Sequence, residues 1–394
     1  MVKVTTQPSP TLEFSPSNTD DLEPRIAELH DLKLRRRSLG SYQPLSEPAV
    51  REKLQHLIEN SGIEGFSIGS LRRMAGGASK EQFSFEIVRE NETSEKLVLR
   101  IDPLESIVET CRFREAEVFS ALHGRVPLPV TRFLDGDGSV LGQPGIVTNF
   151  VDGVAKPPTD TARGVSGLGT DFSPEWRDRL SPQFVNNLAH IHAFDWRTAD
   201  LPHFQAPNRS PFQAALWQVN WWSRVWKEDR IDDFPLMALA ERWLRARLPG
   251  TDDLVLLHGD YRTGNFLFDP SSGEFTAILD WELAHIGDFH EDLAWILHRL
   301  FSAVGADGTT RVCNLMTREE LIEQYCAATG RVVDAPTLRF YEVLSAYKLA
   351  VINLGTGYSS ALRGTNHQDV LLAWLTQVGH TFLAEIARLI EEDH

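Results

Sequence analysis

The sequence predicts an α+β fold of two unequal lobes: a small antiparallel lobe of five strands with one helix, and a larger, mostly helical lobe carrying a single hairpin. Three observations predict it. FSIGSLRRMAGGASKEQFSFEIVRENETSEKLVLRID reads as three strands with turns. A helix and two more strands follow, and the chain beyond them is mostly helical. NFLFD, PSSG and EFTAILD interrupt that stretch as strand, turn and strand. At 394 residues the chain can bury a sizeable core in two such lobes.

The elements follow in order. Residues 1–45 form an extension. Its first 22 or so residues are rich in Pro, Ser and Thr and read as a disordered or loosely attached arm. A helical segment, EPRIAELHDLKLRRRSL, runs to Gly40, with Arg35, Arg36 and Arg37 as a solvated face. The small lobe spans 46–150. It opens on a helix, SEPAVREKLQHLIENSG, with Ser46 as N-cap, Pro48 in the first turn and Gly62 as its stop. Gly76-Gly77 separates the first two strands, and residues 90–95 separate the next two. The lobe's own helix, IVETCRFREAEVFSALHG, stops at Gly124. Two strands joined around Asp135–Gly138 complete the lobe. The larger lobe is 151–394. It begins with a Pro/Gly/Thr-rich insertion from Gly153 to about Pro174, whose GVSGLG is no dinucleotide fingerprint because no strand precedes it and no helix opens on it.

Composition narrows the function classes. A formal net charge of −16 repels nucleic acid and anionic membranes, so neither is an expected partner, while a cationic substrate would be tolerated. Cys111, Cys313 and Cys326 are far apart and odd in number, which argues for three buried thiols in a reducing compartment and against a disulfide framework or zinc site. The N-terminus has no apolar signal core, and no apolar run approaches the ~20 residues that span a bilayer. A cytoplasmic location is therefore expected. Nothing indicates an oligomeric state.

The chemistry concentrates in HGDYRTGNFLFD, His258 to Asp269. Asn265 follows Asp260 by five residues, and antiparallel pairing across the hairpin returns Asp280 beside Asn265. Two carboxylates and one neutral oxygen then converge at one end of the hairpin. Oxygen-only donors suit Mg²⁺, which completes its shell with water and phosphate oxygens. Phosphoryl transfer needs this set: one Asp to accept the attacking hydroxyl's hydrogen bond, and an Asn and an Asp to hold Mg²⁺ against the β- and γ-phosphates of ATP. Protein kinases use the same spacing. A carboxylate with a pKa of about 3.9 cannot pre-ionise a hydroxyl near water's value of about 15.7. The base would orient the hydroxyl and take its proton late, in a loose transition state.

The small lobe has the parts of a nucleotide site in order. Gly76 and Gly77, with Ser79 beside them, let a turn approach phosphates closely. Arg100 on the third strand would reach the α/β-phosphates, and Glu115 on the helix would fix it; Glu117 points to a different helix face. The last strand runs into Thr148, Asn149 and Phe150, a hinge whose backbone would hydrogen-bond an adenine edge.

The set GGAS, VLR, RE, HGDYRTGN, ILDWELAHIGD and DLAW resembles the aminoglycoside phosphotransferase and choline kinase-like superfamily, and within it the branch fused to or associated with acyl-CoA dehydrogenases. The resemblance covers about 60–300 and is strongest over 255–300. It implies a protein-kinase-like fold without DFG and APE motifs, and a small-molecule hydroxyl as acceptor. By position, Asp260 resembles the catalytic base, Asn265 and Asp280 the metal ligands, and Arg100 stands where a phosphate-contacting Lys is usual. Lys-to-Arg is frequent in this branch.

Other polar and aromatic residues have plainer readings beside functional ones. His258 braces the loop. Asp292 is either the N-cap of the next helix or an anchor for the loop backbone, and Asp288 does similar work. Glu282 touches metal or substrate, or supports them from behind. Arg262 steadies a phosphate or the acceptor, or faces solvent. His190 and His192 are packing residues, being two apart on a helix. Trp217, Trp221, Trp222 and Trp226 form a helical stripe that reads as core, with Trp217, Trp221 and Trp222 also candidates for an acceptor pocket. A protein kinase, a non-catalytic nucleotide-binding relative and a metal-dependent hydrolase remain as alternatives. The first is disfavoured by the missing DFG and APE, the second by the intact Asp260, Asn265 and Asp280. The third would have no use for the Gly turn, Arg100 and Glu115. Acidity suggests a cationic acceptor such as an aminoglycoside or amino alcohol; the branch suggests a hydroxyacyl compound or its CoA thioester.

Overall fold

The computed structural model of the chain describes residues 20–74, 80–90, 93–157, 170 and 172–392. The Gly76-Gly77 turn with Ser79, and GVSGLG in the insertion, lie outside the described residues.

Helix α1 (Pro24–Arg36) precedes the small lobe, and α2 (Glu47–Asn60) opens it with the Ser46 hydroxyl accepting from the Ala49 amide. Strands β1 (Phe66–Arg73), β2 (Glu81–Arg89) and β3 (Ser94–Ile101) lead to α3 (Arg112–Ala121), then β4 (Thr131–Asp135) and β5 (Gly145–Asn149). The five strands form one antiparallel sheet in the order β1-β2-β3-β5-β4. Val50, Leu54, Leu57 and Ile58 of α2 pack on the sheet face that carries Phe83, Phe85, Leu97, Leu99 and Val147. The neighbouring Ile146 points the other way, into the core shared with Val118, Phe119 and Leu122 on α3 and just beyond its end. Alternate residues of β5 therefore serve two cores, and so GIVTN reads as a nearly unbroken apolar run.

The larger lobe holds α4 (Pro174–His192), α5 (Gln213–Asp229), α6 (Pro235–Arg245), β6 (Leu254–Leu257), the hairpin β7 (Phe266–Phe268) and β8 (Phe275–Ile278), β9 (His285–Asp288) and α7 (His290–Ile296). Strands β10 (Ser302–Val304) and β11 (Thr310–Val312) follow, then α8 (Arg318–Thr329), α9 (Ala335–Ala350), a π-helical turn over Val351–Gly357, α10 (Tyr358–Arg363) and α11 (Asp369–Glu391). Its core includes Leu22, Ile26 and Leu29, so the segment at and before α1 packs on this lobe.

Several expectations need correction. The hairpin is not the lobe's sole β structure: β6 pairs with β9, and β10 with β11. Strands of three or four residues are too short to show a period, and β9 lies far along the chain from β6. The helix of the small lobe starts at Arg112, not near Ile107. The loop ahead of it is held by its own polar groups: Thr365 and Arg37 bind the Glu105 carboxylate, and Ser106 N–H donates to Glu109. Arg37 is no solvated face, since it is ion-paired with Glu105 and Asp229. Cys326 is only half-buried, unlike Cys111 and Cys313. His190 is exposed, whereas His192 is buried. Finally, Val370–Glu391 is long and apolar enough, by length and composition, to cross a membrane. One side of it is docked: Leu372, Phe382, Ile386, Leu389 and Ile390 are buried in the protein.

Candidate active site

The loop between β6 and β7 carries His258 to Asn265, and its path is set by a buried carboxylate. Asp292 on α7 accepts the backbone amides of His258 (2.9 Å) and Gly259 (2.8 Å), and its Oδ2 lies 3.1 Å from His192 Nε2. Phe289 is the N-cap of α7, so Asp292 is the loop's anchor and not a cap. Burial would raise the Asp292 pKa, but the bonds from His192 and the His258 amide outweigh it and hold it at about 2. Gly259 sits at φ +81°, and a Cβ there would meet the Leu283 carbonyl oxygen at 2.5 Å, so this bend needs glycine.

His258 is buried. The Asp260 amide donates to its Nδ1 (3.2 Å), so the proton sits on Nε2, which bonds the Leu279 carbonyl (2.9 Å). Burial lowers its pKa, which suits a neutral ring tying the loop to the end of β8. Asp288 Oδ1 accepts from the His290 amide (3.0 Å) and lies 2.7 Å from His290 Nδ1, supporting the start of α7.

Asp260 is surrounded by donors. Its Oδ1 accepts from Trp295 Nε1 (2.6 Å) and Arg262 Nε (3.0 Å), and its Oδ2 from Asn265 Nδ2 (2.6 Å). A carboxylate offers about four acceptor positions, so one remains for a further donor. Asn265 Nδ2 also donates to the Asp260 carbonyl (2.9 Å). Only an amide nitrogen can face these two acceptors, which turns Asn265 Oδ1 away as a free oxygen donor. Arg262 is mostly buried: it grips Asp260 and lies over the Phe301 ring.

Asp280 follows β8 in the left-handed conformation (φ 59°). The Leu279 amide bonds the Asn265 carbonyl (2.7 Å), so the hairpin does return Asp280 beside Asn265. Arg100 joins the lobes here. One of its nitrogens binds Glu115 and another lies 2.7 Å from Asp280 Oδ1. Burial would raise the Glu115 pKa; Arg100 and Arg112 outweigh it and lower it. Glu117 points elsewhere, to His203. Glu282 is nearly buried, with Lys80 at 3.7 Å and its Oε2 without a hydrogen bond, and burial raises its pKa.

The donors fit a hard cation. Asn265 Oδ1 and Asp280 are oxygen groups at one end of the hairpin, and among the described residues no cluster of three or more His, Cys, Asp or Glu is placed to hold a metal. A metal here would take most of its shell from phosphate and water, as Mg²⁺ does.

Two expected features change. Asn149 and Phe150 amides are already bonded within the sheet, to Val130 and Lys96 carbonyls, and Thr148 is a buried strand residue paired with Val98 and Thr131. Those two amides are not free for an adenine edge. The tryptophans are core: Trp217 Nε1 bonds Asp21 (3.0 Å), and Trp221 stacks on Trp222. All three are buried. Three side chains beside these candidates escaped the sequence. Trp295 hides in DLAW as an apparent core aromatic. Lys348 is an isolated lysine of α9. Lys80 follows the Gly turn directly, the one available signal, and its ammonium is buried between Ser106 (2.8 Å) and Asp102 (3.4 Å).

Replacing Asp292 with Ala would strand two buried amides and His192, and is expected to cost about 3–5 kcal/mol of stability by denaturant titration. Because its folded pKa is depressed, the Asp292 contribution is present above about 3.9 and lost on acidification towards about 2. The stability gap between wild type and Asp292→Asn should therefore narrow across that window.

A model of the phosphotransferase enzyme family matches residues 70–341, more than half of the chain. Acyl-CoA dehydrogenase family member 11 of Gallus gallus is 34% identical over 180 residues, covering 43% of this chain and 23% of that protein. Acyl-CoA dehydrogenase family member 10 of Mus musculus is 28% identical over 280 residues, covering 68% of this chain and 25% of that protein. The chain thus spans about a quarter of these two relatives' length. Among solved structures, a candidate aminoglycoside phosphotransferase from Ralstonia eutropha has a TM-score of 0.60 at 21% identity, covering 88% of this chain and 99% of that one. A thermostable mutant aminoglycoside phosphotransferase in ternary complex with ADP and hygromycin B has a TM-score of 0.54 at 17% identity, covering 84% and 97%. These likenesses are in fold, the protein-kinase-like one.

Proposed function

The chain belongs to the phosphotransferase enzyme family, and from that premise we propose that it transfers the γ-phosphoryl group of ATP, with Mg²⁺, to the hydroxyl of a small molecule. One observation carries the reading: Arg100, from the small lobe's sheet, contacts Glu115 and Asp280 at once, so a cation suited to phosphate stands beside a metal-ligand candidate. Asn265 and Asp280 would hold Mg²⁺, which would neutralise charge on the β- and γ-phosphates. Asp260 would take the acceptor's hydroxyl hydrogen bond on its remaining lone pair, with Trp295, Arg262 and Asn265 fixing the carboxylate. Arg100 would pair with the α/β-phosphates. Glu282 would stand behind the metal, opposite Lys80.

For the acceptor we favour a hydroxyacyl compound, free or as its CoA thioester. Arg262, beside Asp260 and lying over the Phe301 ring, puts a cation at the catalytic loop, which suits an acceptor with negative charge better than a polycation. The names of the two curated relatives agree with an acyl-CoA context. The structural neighbour holding hygromycin B supports a second reading, an aminoglycoside or amino alcohol. An ATP-consumption screen over hydroxyacyl-CoAs, their free acids, aminoglycosides, amino alcohols and sugars separates the two. Turnover with hydroxyacyl compounds is expected. Turnover with aminoglycosides alone would overturn the acceptor assignment while leaving phosphoryl transfer intact.

A further inference from the structure

Lys348 is a buried cation that the chemistry above does not use. It lies on α9, and its ammonium is 3.2 Å from the Gly259 carbonyl oxygen, one residue before Asp260. It also sits over two indoles, 4.4 Å from the Trp295 ring centroid and 5.2 Å from that of Trp222. Among the described residues it forms no ion pair, and it is 3% exposed. Burying an ammonium with one hydrogen bond and no counter-ion is costly. Two aromatic faces offset part of that. Burial lowers its pKa, opposed by the carboxylates that face it, Glu291 and Asp292 on α7 and Asp260 in the loop. Such a group is a poor means of stabilising a fold, so its placement calls for a role at the loop.

Its two contacts lead to the same residue. Gly259 is fixed from one side by its amide on Asp292 and from the other by its carbonyl on Lys348. Trp295, against which Lys348 packs, donates its indole N–H to the Asp260 carboxylate. We propose that Lys348 is a positioning residue for phosphoryl transfer: it clamps the Gly259 carbonyl and seats the Trp295 indole, and so fixes both the backbone and the carboxylate of Asp260. The inference rests on Asp260 acting at the transferred group, and concerns how that carboxylate is held.

The test compares full-length wild type with Lys348→Met, which keeps the apolar stem and removes the ammonium. Two readouts separate the levels of the reading. Hydrogen exchange over residues 258–265 needs neither nucleotide nor acceptor. It is expected to accelerate in Lys348→Met, with α4 protected as in wild type. Steady-state kinetics with an acceptor from the screen should show kcat down roughly 10²-fold, as for an ångström-scale misplacement of a catalytic group, with KM for ATP unchanged. A merely structural lysine would move KM and thermal stability together and leave that split absent. Loop exchange equal to wild type, or an unchanged kcat, would overturn the proposal. Absence of ATP turnover by wild type would overturn the phosphotransferase reading instead, with the exchange result still deciding whether Lys348 holds the loop. If Lys348→Met gives no cooperative thermal transition, Lys348→Arg replaces it: its planar, longer head cannot occupy the same site, so intermediate losses in both readouts are expected, and wild-type values in both would overturn the proposal.

Discussion

Asp260→Ala is expected to lower kcat by roughly 10²–10⁴-fold, the range for loss of a positioned general base, while ATP binding stays near wild type. The split follows from what each side chain touches. On the proposed function Asp260 would face the acceptor hydroxyl, whereas Arg100, Glu115 and Asp280 form a separate group towards the small lobe. Alanine frees three donors, on Trp295, Arg262 and Asn265; the Asp260 and Arg262 side chains are themselves partly exposed, so water can enter the vacated space. Asparagine is the worse choice despite its shape. Its amide nitrogen would confront Asn265 Nδ2, and relief by flipping Asn265 would turn that residue's oxygen away from the metal position. Asp260→Asn should therefore impair Mg²⁺-dependent nucleotide binding as well as kcat, and Asp260→Ala only kcat. Parallel titrations with ATP in Mg²⁺ check this; equal nucleotide affinity in both variants would show that Asn265 is not coupled to Asp260 in this way.

Asp280→Asn is expected to remove most of the Mg²⁺-dependent part of nucleotide affinity and to lower kcat by about 10²-fold or more, as when one group that stabilises transferring charge is lost. Asparagine is the right replacement because Asp280 is left-handed, φ 59°, a conformation it tolerates and alanine does not. It retains one oxygen but loses the charge that attracts the metal and Arg100. Nucleotide binding measured in EDTA should be little changed. If Mg²⁺ sharpens nucleotide binding in the variant as much as in wild type, Asp280 is not a metal ligand.

Much of this arrangement was legible in the sequence, and the reasons are physical. The five-stranded lobe was readable because its strands are long enough to show periodicity. HGDYRTGNFLFD was readable because a hairpin's return is fixed by its turn, so Asp280 had to meet Asn265. Arg100 and Glu115 followed from strand and helix order. What failed was of two kinds. Short strands such as β6 and β9 have no period, and their pairing is a matter of tertiary structure. The second kind concerns residues whose role lies in one atom. Trp295 and Trp222 both look like core in a sequence. Only the fold tells that both offer their rings to Lys348 and that Trp295 alone of the two donates its N–H to Asp260. At the hinge, likewise, Asn149 and Phe150 occupy the expected strand end, but only the fold tells that the Val130 and Lys96 carbonyls already take their amides.

The most direct measurement is calorimetric titration of the wild-type chain with ATP, with Mg²⁺ and then with EDTA. One saturable site strengthened by Mg²⁺ is expected, with the Mg²⁺ effect reduced in Asp280→Asn. No nucleotide binding with any divalent metal would contradict the assignment of Arg100, Asn265 and Asp280 to a phosphoryl-transfer site.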